Sequence, residues 1–551
     1  MMGRGGHFTW PEDGILGGIR QDVSESIPRY RNLQNVHVSV LGALTKDKGI
    51  KLLTSGVVST GDTVAGLDAQ FNNGTQALYV FQDQGANVKA YKYNSGSWAV
   101  LQSGGSDVSF AGANRPHALM FADKMHVFDS HTIRTVDASG TVATPGTSDV
   151  NTSKFGVVYA NRLIAFGNAS YPSYFYPSDV RDSSTWNADY AVRITNTYGE
   201  EIKGAGVLGP FLIVGGRTFT RAYYLGTASP YDWDHDNISD QIGPINFQSF
   251  VVASRGKGNS LQNYGFFWSE EGPIMVVQSG NSMPSLVPLH EPIRNLVRGI
   301  DYQGLDGLAP DQFANVEGVW VPEYNEVRFA VPGKGKTENS MLLCLNLDSA
   351  IAFSQGADGA YPMWRIRNNE NLNSNVFPCT SLFSVQVNGS GVPSNTGQRR
   401  AFCGRDGKVY EMDADVTSMD EETVAIPMYI YRDGYDGYRD GIRENTKSLR
   451  QINIRATQEG NFTIKARCIG DGGVSTTDIN IARGLRLWSS DASVGRWGDG
   501  GLWNAGEFIT QRAGIGVLGK KFELELYDEG AIEAPVQINS WTLMGYAEDR
   551  R

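Results

Sequence analysis

Asp232, Asp234, Asp236 and Asp240 make the pattern closest to a metal site in the sequence. A hard cation such as calcium needs several oxygens wrapped around it at close range, and alternating carboxylates supply them. The match to a calcium loop is partial. Its sixth position is Asn237, where the sharp turn needs Gly, and its twelfth is Gly243, which has no carboxylate to chelate with. A polar turn after the strand at Tyr223 is the plainer reading of these acids.

Gly333-Lys-Gly-Lys-Thr337 resembles a phosphate-binding loop in outline, but that motif requires a Gly where Ala330 stands. The segment lies between VRFAV and MLLCLNL, so a hairpin tip with solvated lysines is expected. Glu270 and Glu271 are neighbours and would point to opposite faces of a strand, so they are not by themselves a glycosidase pair. Ser489-Ser-Asp491 approaches an aspartate box and fails at Ser493 and Arg496. The seven histidines form no HExxH and no i, i+4 metal pair. No GxSxG nucleophile elbow is present. Catalytic residues, a cofactor and an enzymatic activity are therefore not expected. What remains is contact chemistry: Trp488, Trp497 and Trp503 frame or lie in a Gly-rich loop, and together with Tyr435 they are candidate interface residues.

The elements carrying these residues read as β-strands throughout. Apolar or alternating runs of about five to seven residues recur between clusters of Gly, Asn, Asp and Ser, while helical periodicity is nearly absent. ALYVFQD from Ala77, VKAYKYN and WAVL form a first meander, and HALMF with KMHVF a second. Units opening at Gly156, Glu201 and Phe247 follow, then GVWVPEYNEVRFAVPG and RRAFCGRDGKVYEMD. Units of about 40 to 50 residues with three or four strands each are the mark of propeller blades, since one small sheet cannot bury both faces alone. The expectation is an all-β chain: an arm and first strands over 1–61, an irregular β-propeller of six or seven blades over 62–415, and a C-terminal β-sandwich-like domain over 416–551. A sandwich or jelly roll throughout is the alternative architecture. Strict alternation in Phe522–Tyr527 and Val536–Trp541 gives the C-terminal domain strands with one wet face.

Composition agrees with many short strands. Glycine takes 65 of 551 positions, above the usual share of about 7%. A net charge of −11 argues against a nucleic-acid binder and would suit a wall that DNA passes without sticking. Cys344, Cys379, Cys403 and Cys468 show no zinc spacing and read as buried free thiols. No signal-peptide pattern and no long apolar run occur, so synthesis in the cytoplasm without membrane insertion is expected.

The stretch Gly17–Thr54, with Asn35, Gly42-Ala-Leu44, Lys46, Lys48 and Gly49, resembles the opening of the β-propeller tail nozzle or tail-hub proteins of short-tailed bacteriophages. NRLIAFGNASYPSYFYPSDVRDSSTWNADYAVRI, from Asn161 to Ile194, is similar to that family's Asn-Arg-Leu strand and its aromatic Ser-Asp…Trp turn. GVLGPFLIVGGRTFTRAYYLG, YGFFWSEEGPIMVVQSG and the final INSWTLMGYAEDRR resemble its later blades and closing strand. The resemblance implies a structural virion protein of the viral tail, a homohexamer below the portal and adaptor rings. Such a ring extends the DNA-exit channel, retains the genome and releases it at genome ejection. Its implied partners are further copies of the chain, the tail adaptor or head-completion ring, tail fibre or tip proteins, and double-stranded DNA in transit. The alternative function is a glycan- or receptor-binding propeller of a virion, with depolymerase activity as one form of it, and a third is an intracellular peptide-docking scaffold.

Overall fold

The computed structural model describes residues 6–13, 30–38, 43–54, 58–94, 96–111, 115–145, 150–195, 199–224, 229–256, 261–278, 282–301, 305–357, 360–368, 377, 379–388, 393–394, 397–414, 418–419, 424–435, 445–458, 462–481, 508–528 and 536–547.

Among the described residues, seven sets of antiparallel strands stand around one axis. Blade 1 holds Thr63–Gln70, Gln76–Asp83 and Asn87–Asn94, with Ser97–Val100 and Ser109–Ala111 both beside the third strand. Blade 2 is His117–Phe121, Lys124–Phe128, Arg134–Val136 and Val142–Ala143. Blade 3 is Phe155–Tyr159, Arg162–Phe166, Tyr174–Pro177 and Val192–Arg193. Blade 4 is Gly204–Leu208, Phe211–Gly215, Thr220–Tyr224 and Asp234–Ser239. Blade 5 is Val251–Arg255, Gln262–Ser269, Gly272–Val277 and Ser285–Pro288. Blade 6 is Glu317–Val321, Glu326–Pro332, Asn339–Asn346 and Trp364–Arg367. Blade 7 is Ser381–Val387, Gln398–Arg405, Lys408–Ala414 and, from far upstream, Gly49–Leu52.

The first strand of each blade touches the first strand of the next, and that of blade 7 touches that of blade 1, which closes the ring. Second strands are covered on both faces by neighbouring blades, so they read as near-continuous apolar runs such as Arg162–Phe166 and Phe211–Gly215, buried along their whole length. The fourth strands of blades 4 and 5 meet water, while Trp364–Arg367 of blade 6 is buried. Asp234–Ser239 is mostly exposed and Ser285–Pro288 partly so. Closure is tight: a methyl group at Gly66 in blade 1 would sit 2.6 Å from the ring of Phe383 in blade 7, so only Gly fits there.

The second unit is a β-sandwich grown from blade 6. The outermost strand of that blade, Trp364–Arg367, pairs in parallel with Tyr30–Gln34, which pairs in turn with Tyr429–Tyr435. Phe522–Tyr527, Phe462–Gly470 and Gly473–Ile481 extend this into a nine-stranded sheet. Facing it, Val36–Val38, Leu44–Lys46, Val536–Ala547, Lys447–Gln458 and Phe508–Gly519 form the opposing sheet, with Gly6–Asp13 also on Val536–Ala547. Ile452, Ile454, Ile538 and Leu543 meet Ile430, Ile464, Leu524 and Leu526 in one core. The chain is thus an all-β propeller with additional sheets at its C-terminal end. All four cysteines are free and buried, and burial pushes the thiols of Cys344, Cys403 and Cys468 up to about 12.

Candidate functional site

The strands at 30–52 belong to neither unit alone. Tyr30–Gln34 links blade 6 to the sandwich, Val36–Val38 and Leu44–Lys46 extend the opposing sheet, and Gly49–Leu52 closes blade 7. Asn35 turns the chain between these tasks in the left-handed region, at φ 53°, where Asn is tolerated better than most residues. Its side chain donates to the carbonyls of Asn368 at 2.7 Å and Pro427 at 2.8 Å, one on each side of the junction. Lys46, buried, donates to the buried carboxylate of Asp528 at 2.9 Å.

Beside this arm lies a buried cluster of three guanidiniums and three carboxylates. Strand pleating puts Glu326, Arg328, Cys344, Arg365 and Arg367 on one face of blade 6, since Arg328 lies opposite Cys344 and Cys344 opposite Arg365. Arg365 grips Glu326 with two bonds, at 2.6 and 2.7 Å, and reaches Asp47 of the arm at 2.5 Å. Arg328 donates to Glu326 at 3.0 Å and to Asp413 of blade 7 at 2.5 Å. Arg367 donates to the other oxygen of Asp413 at 2.7 Å and to the carbonyl of Lys48 at 2.8 Å. His37 adds a contact to Asp47 at 3.1 Å.

Burial alone would raise the Asp47 carboxyl, but the guanidiniums of Arg365 and Arg367 outweigh it and hold it well below the usual carboxylate range. Glu326 and Asp413 are lowered by the same contest, burial against Arg365 and Arg328 for the first and against Arg328 and Arg367 for the second. Six charges balance to zero, and the cluster joins arm, blade 6 and blade 7 in one polar joint.

A second cluster crosses the propeller axis. Arg115, just ahead of blade 2, pairs with Glu317, the first residue of blade 6, and donates to the carbonyl of Thr380 at 3.2 Å. Glu317 also accepts the backbone N–H of Leu382 in blade 7 at 2.7 Å. Blades 2 and 6 are not neighbours in the ring, so their contact runs across the middle. Phe247, ahead of blade 5, stacks on Phe155 of blade 3 at 4.9 Å and meets His117 of blade 2 at 5.2 Å. Burial raises the Glu317 carboxyl against the pull of Arg115, and lowers His117 to about 4.

A third feature is an apolar groove of about 640 Å³ on the face of the propeller opposite the Arg115–Glu317 contact. Its walls are the first hairpins of blades 3 and 4, Val158–Ala160 and Gly209–Phe211, with Val207, Tyr224 and Met283. Tyr159 ties the two hairpins by donating to the carbonyl of Pro210 at 2.6 Å.

The acids whose spacing partly matches a calcium loop fall apart in the fold. Asp232 ends the turn Pro230–Asp232, while Asp234 and Asp236 lie on the edge strand opposite Tyr224 and Ala222. Asp240 accepts Asn237 at 2.5 Å and faces Arg221 at 3.8 Å. A strand extends the chain where a calcium loop must curl it, and among the described residues no three His, Cys, Asp or Glu side chains gather in a way that could hold a metal. Tyr435, expected at an interface, is buried in the sandwich core and accepts the indole N–H of Trp541 at 2.8 Å. That placement removes it from reach of a partner. Trp488, Trp497, Trp503 and the Ser489–Asp491 motif lie outside the described residues. Gly333–Thr337 is a hairpin tip, as expected, with Lys334 paired to Asp301 at 2.8 Å. Glu270 sits at another tip, paired with Arg217. The six-charge joint was not foreseen. Its one local signal is the alternation of charged with apolar residues in Glu326-Val-Arg328 and Trp364-Arg-Ile-Arg367, where a solvated edge strand would read the same way.

No protein-family model matches the chain, and no curated protein matches it. It is similar to solved β-propeller structures. A protein from Lactobacillus plantarum is 10% identical over 65% of this chain and 99% of its own, with a TM-score of 0.35. The N-terminal domain of Nup159 is 7% identical over 73% and 99%, also at 0.35. The AfRom2 CNH domain is 8% identical over 66% and 99%, again at 0.35.

Proposed function

We propose that this chain is a non-enzymatic virion protein, one subunit of the tail nozzle or hub ring of a short-tailed bacteriophage. The observation that carries the reading is the arm. Asn35, Lys46 and Gly49, which bear the resemblance to that family, are the residues that bind propeller, sandwich and ring closure into one body. A subunit that withstands a packed genome must not hinge between its domains, and the buried joint of arm, blades 6 and 7 and sandwich supplies that stiffness.

Arg115 and Phe247, ahead of blades 2 and 5, meet Glu317 of blade 6 and Phe155 and His117 of blades 3 and 2 across the middle of the propeller, so DNA in transit would pass through the lumen between copies. A net charge of −11 suits a lumen that DNA passes without sticking. The subunit would sit in the virion tail as a homo-oligomer, with the adaptor ring above it and fibre or tip proteins around it. Light scattering on the purified chain, alone and mixed with tail particles, tests this. A closed ring of about six copies is the expected result. A monomer that ignores tails and instead binds or cleaves a polysaccharide would overturn it in favour of the glycan-active propeller.

A further inference from the structure

We infer that the ring forms by a head-to-tail contact in which the tip of the sandwich of one copy docks into the groove between blades 3 and 4 of the next; this rests on the ring reading above. A ring of identical subunits needs two different surfaces that fit each other and stand on different sides of the molecule. Both are present.

The receiving surface is the apolar groove lined by Val158, Tyr159, Val207, Phe211, Tyr224 and Met283. Val158 and Met283 are 39% and 37% exposed, so the groove is open to a docking side chain. Loops of the same face add the exposed Val180 and Tyr231. On the blade 4 side the groove meets an acidic rim. Asp232, Asp234 and Asp236 are exposed and form no ion pair among the described residues. Asp236 and Asp234 lie close enough to Tyr224 that, after burial, their charges are what raises its hydroxyl. These carboxylates also keep the edge strand from pairing with a stray strand, but that task does not require an apolar groove beside them.

The donating surface is the far edge of the sandwich. In the nine-stranded sheet Gly473–Ile481 is the strand most distant from the propeller. Its turn packs against the turn that follows Phe508–Gly519, where Gly472 donates to the carbonyl of Leu518 at 2.9 Å and Lys520 donates its backbone N–H to Asp471 at 2.9 Å. This tip presents Val474 and Leu518, 54% and 49% exposed, flanked by the exposed Lys520 and Lys521. Two apolar side chains beside two ammonium groups, with the Asp471 carboxylate turned to the Lys520 backbone N–H, complement an apolar groove beside three carboxylates. The tip is held by hydrogen bonds in a tight double turn, so little ordering is needed on docking.

Placement fits closure as well. The sandwich grows from blade 6, and blade 3 is three positions away, the farthest that a seven-bladed ring allows. Tip and groove therefore belong to different parts of the molecule, as the two distinct surfaces of a head-to-tail ring must.

Charge reversal tests the contact in the full-length chain by sedimentation velocity over a concentration series, with and without tail particles. Lys520→Glu with Lys521→Glu, and separately Asp232→Lys with Asp234→Lys, should each raise the concentration needed for assembly by about 30-fold or more, as loss of a complementary charge set does. The four changes combined restore opposite signs and should recover assembly. Met283→Arg, at an exposed position in the groove, should block it alone. All variants should melt like the wild type, because every altered side chain is exposed. If the double variants assemble as the wild type does, or the combined variant folds normally but stays monomeric, the contact is wrong while the ring stands. If the wild type itself never assembles, even on tails, the ring reading fails and this contact with it.

Discussion

Carboxylates gather at two places in this molecule, and the two are built in opposite ways. At the joint, Asp47, Glu326 and Asp413 are buried and each is bound to at least two guanidiniums or to one by two bonds. On blade 4, Asp232, Asp234 and Asp236 face solvent. Buried charge persists only where it is matched, because an unmatched ion there costs several kcal/mol, while exposed charge costs almost nothing and remains available to something outside the chain. The joint therefore speaks of integrity and the rim of recognition.

The largest test of that contrast removes the arm. Deleting residues 1–54 takes away the outermost strand of blade 7, the strand that links blade 6 to the sandwich and the partner of Arg365. Loss of the cooperative thermal transition is expected, since blade 7 loses its outer strand, the sandwich loses its link to blade 6, and six buried charges become three positive and two negative. A cooperative melt at the wild-type temperature would show that the two units stand without their strap.

Next in size is the removal of one charge. Asp47→Ala leaves Arg365 and Arg367 short of a partner in a dry site and should lower unfolding stability by about 3–5 kcal/mol, measured by denaturant titration. A loss under about 1 kcal/mol would mean that water enters the joint and screens it.

Acid separates the joint from the rest of the core. Asp47, Glu326 and Asp413 have carboxyls lowered on folding. Their contribution is complete above the unfolded carboxylate range and is lost only as pH falls through the lowered folded values. His117 and His126 behave differently: burial brings both from 6.5 to about 4. Between those values the unfolded chain binds protons that the folded one refuses, so stability falls as pH falls, by about 1.4 kcal/mol per pH unit for each histidine. The denaturation midpoint should thus decline between pH 6.5 and pH 4.5 in the wild type, less in His126→Gln, and unchanged in slope in Asp47→Asn. An unchanged slope in His126→Gln would remove that residue from the account.

What could be read in the sequence follows the range of the interactions involved. Blades were legible because hairpins are local: Arg162–Phe166 follows Phe155–Tyr159 across a two-residue turn, and alternation or an apolar run marks each strand. The arm was legible only as a resemblance, because its pairings join Gly49 to Ala414 and Asp47 to Arg365, and nothing local records a partner hundreds of residues away. Tyr435 misled for the converse reason. Its neighbours, Arg-Asp-Gly before it and Asp-Gly after it, read as an exposed loop, while the fold turns its ring inward to Trp541. Asp234 and Asp236 were picked out by their spacing, but spacing alone does not tell a curled loop from a strand, and the register opposite Tyr224 and Ala222 decides for the strand.

The smallest effect is expected at the rim, and its smallness is the point. Asp234→Asn with Asp236→Asn removes two exposed carboxylates that lie on the same side of one strand and repel each other. Exposed substitutions of this kind stay within about 0.5 kcal/mol, and relief of like-charge repulsion makes a slight gain the expected sign. Assembly should nevertheless weaken, and its sensitivity to added salt should shrink, because the screened part of the attraction has been taken away. A melt lowered by more than about 1 kcal/mol would mean that these acids support the blade itself, and the division between a buried joint for integrity and an open rim for recognition would no longer hold.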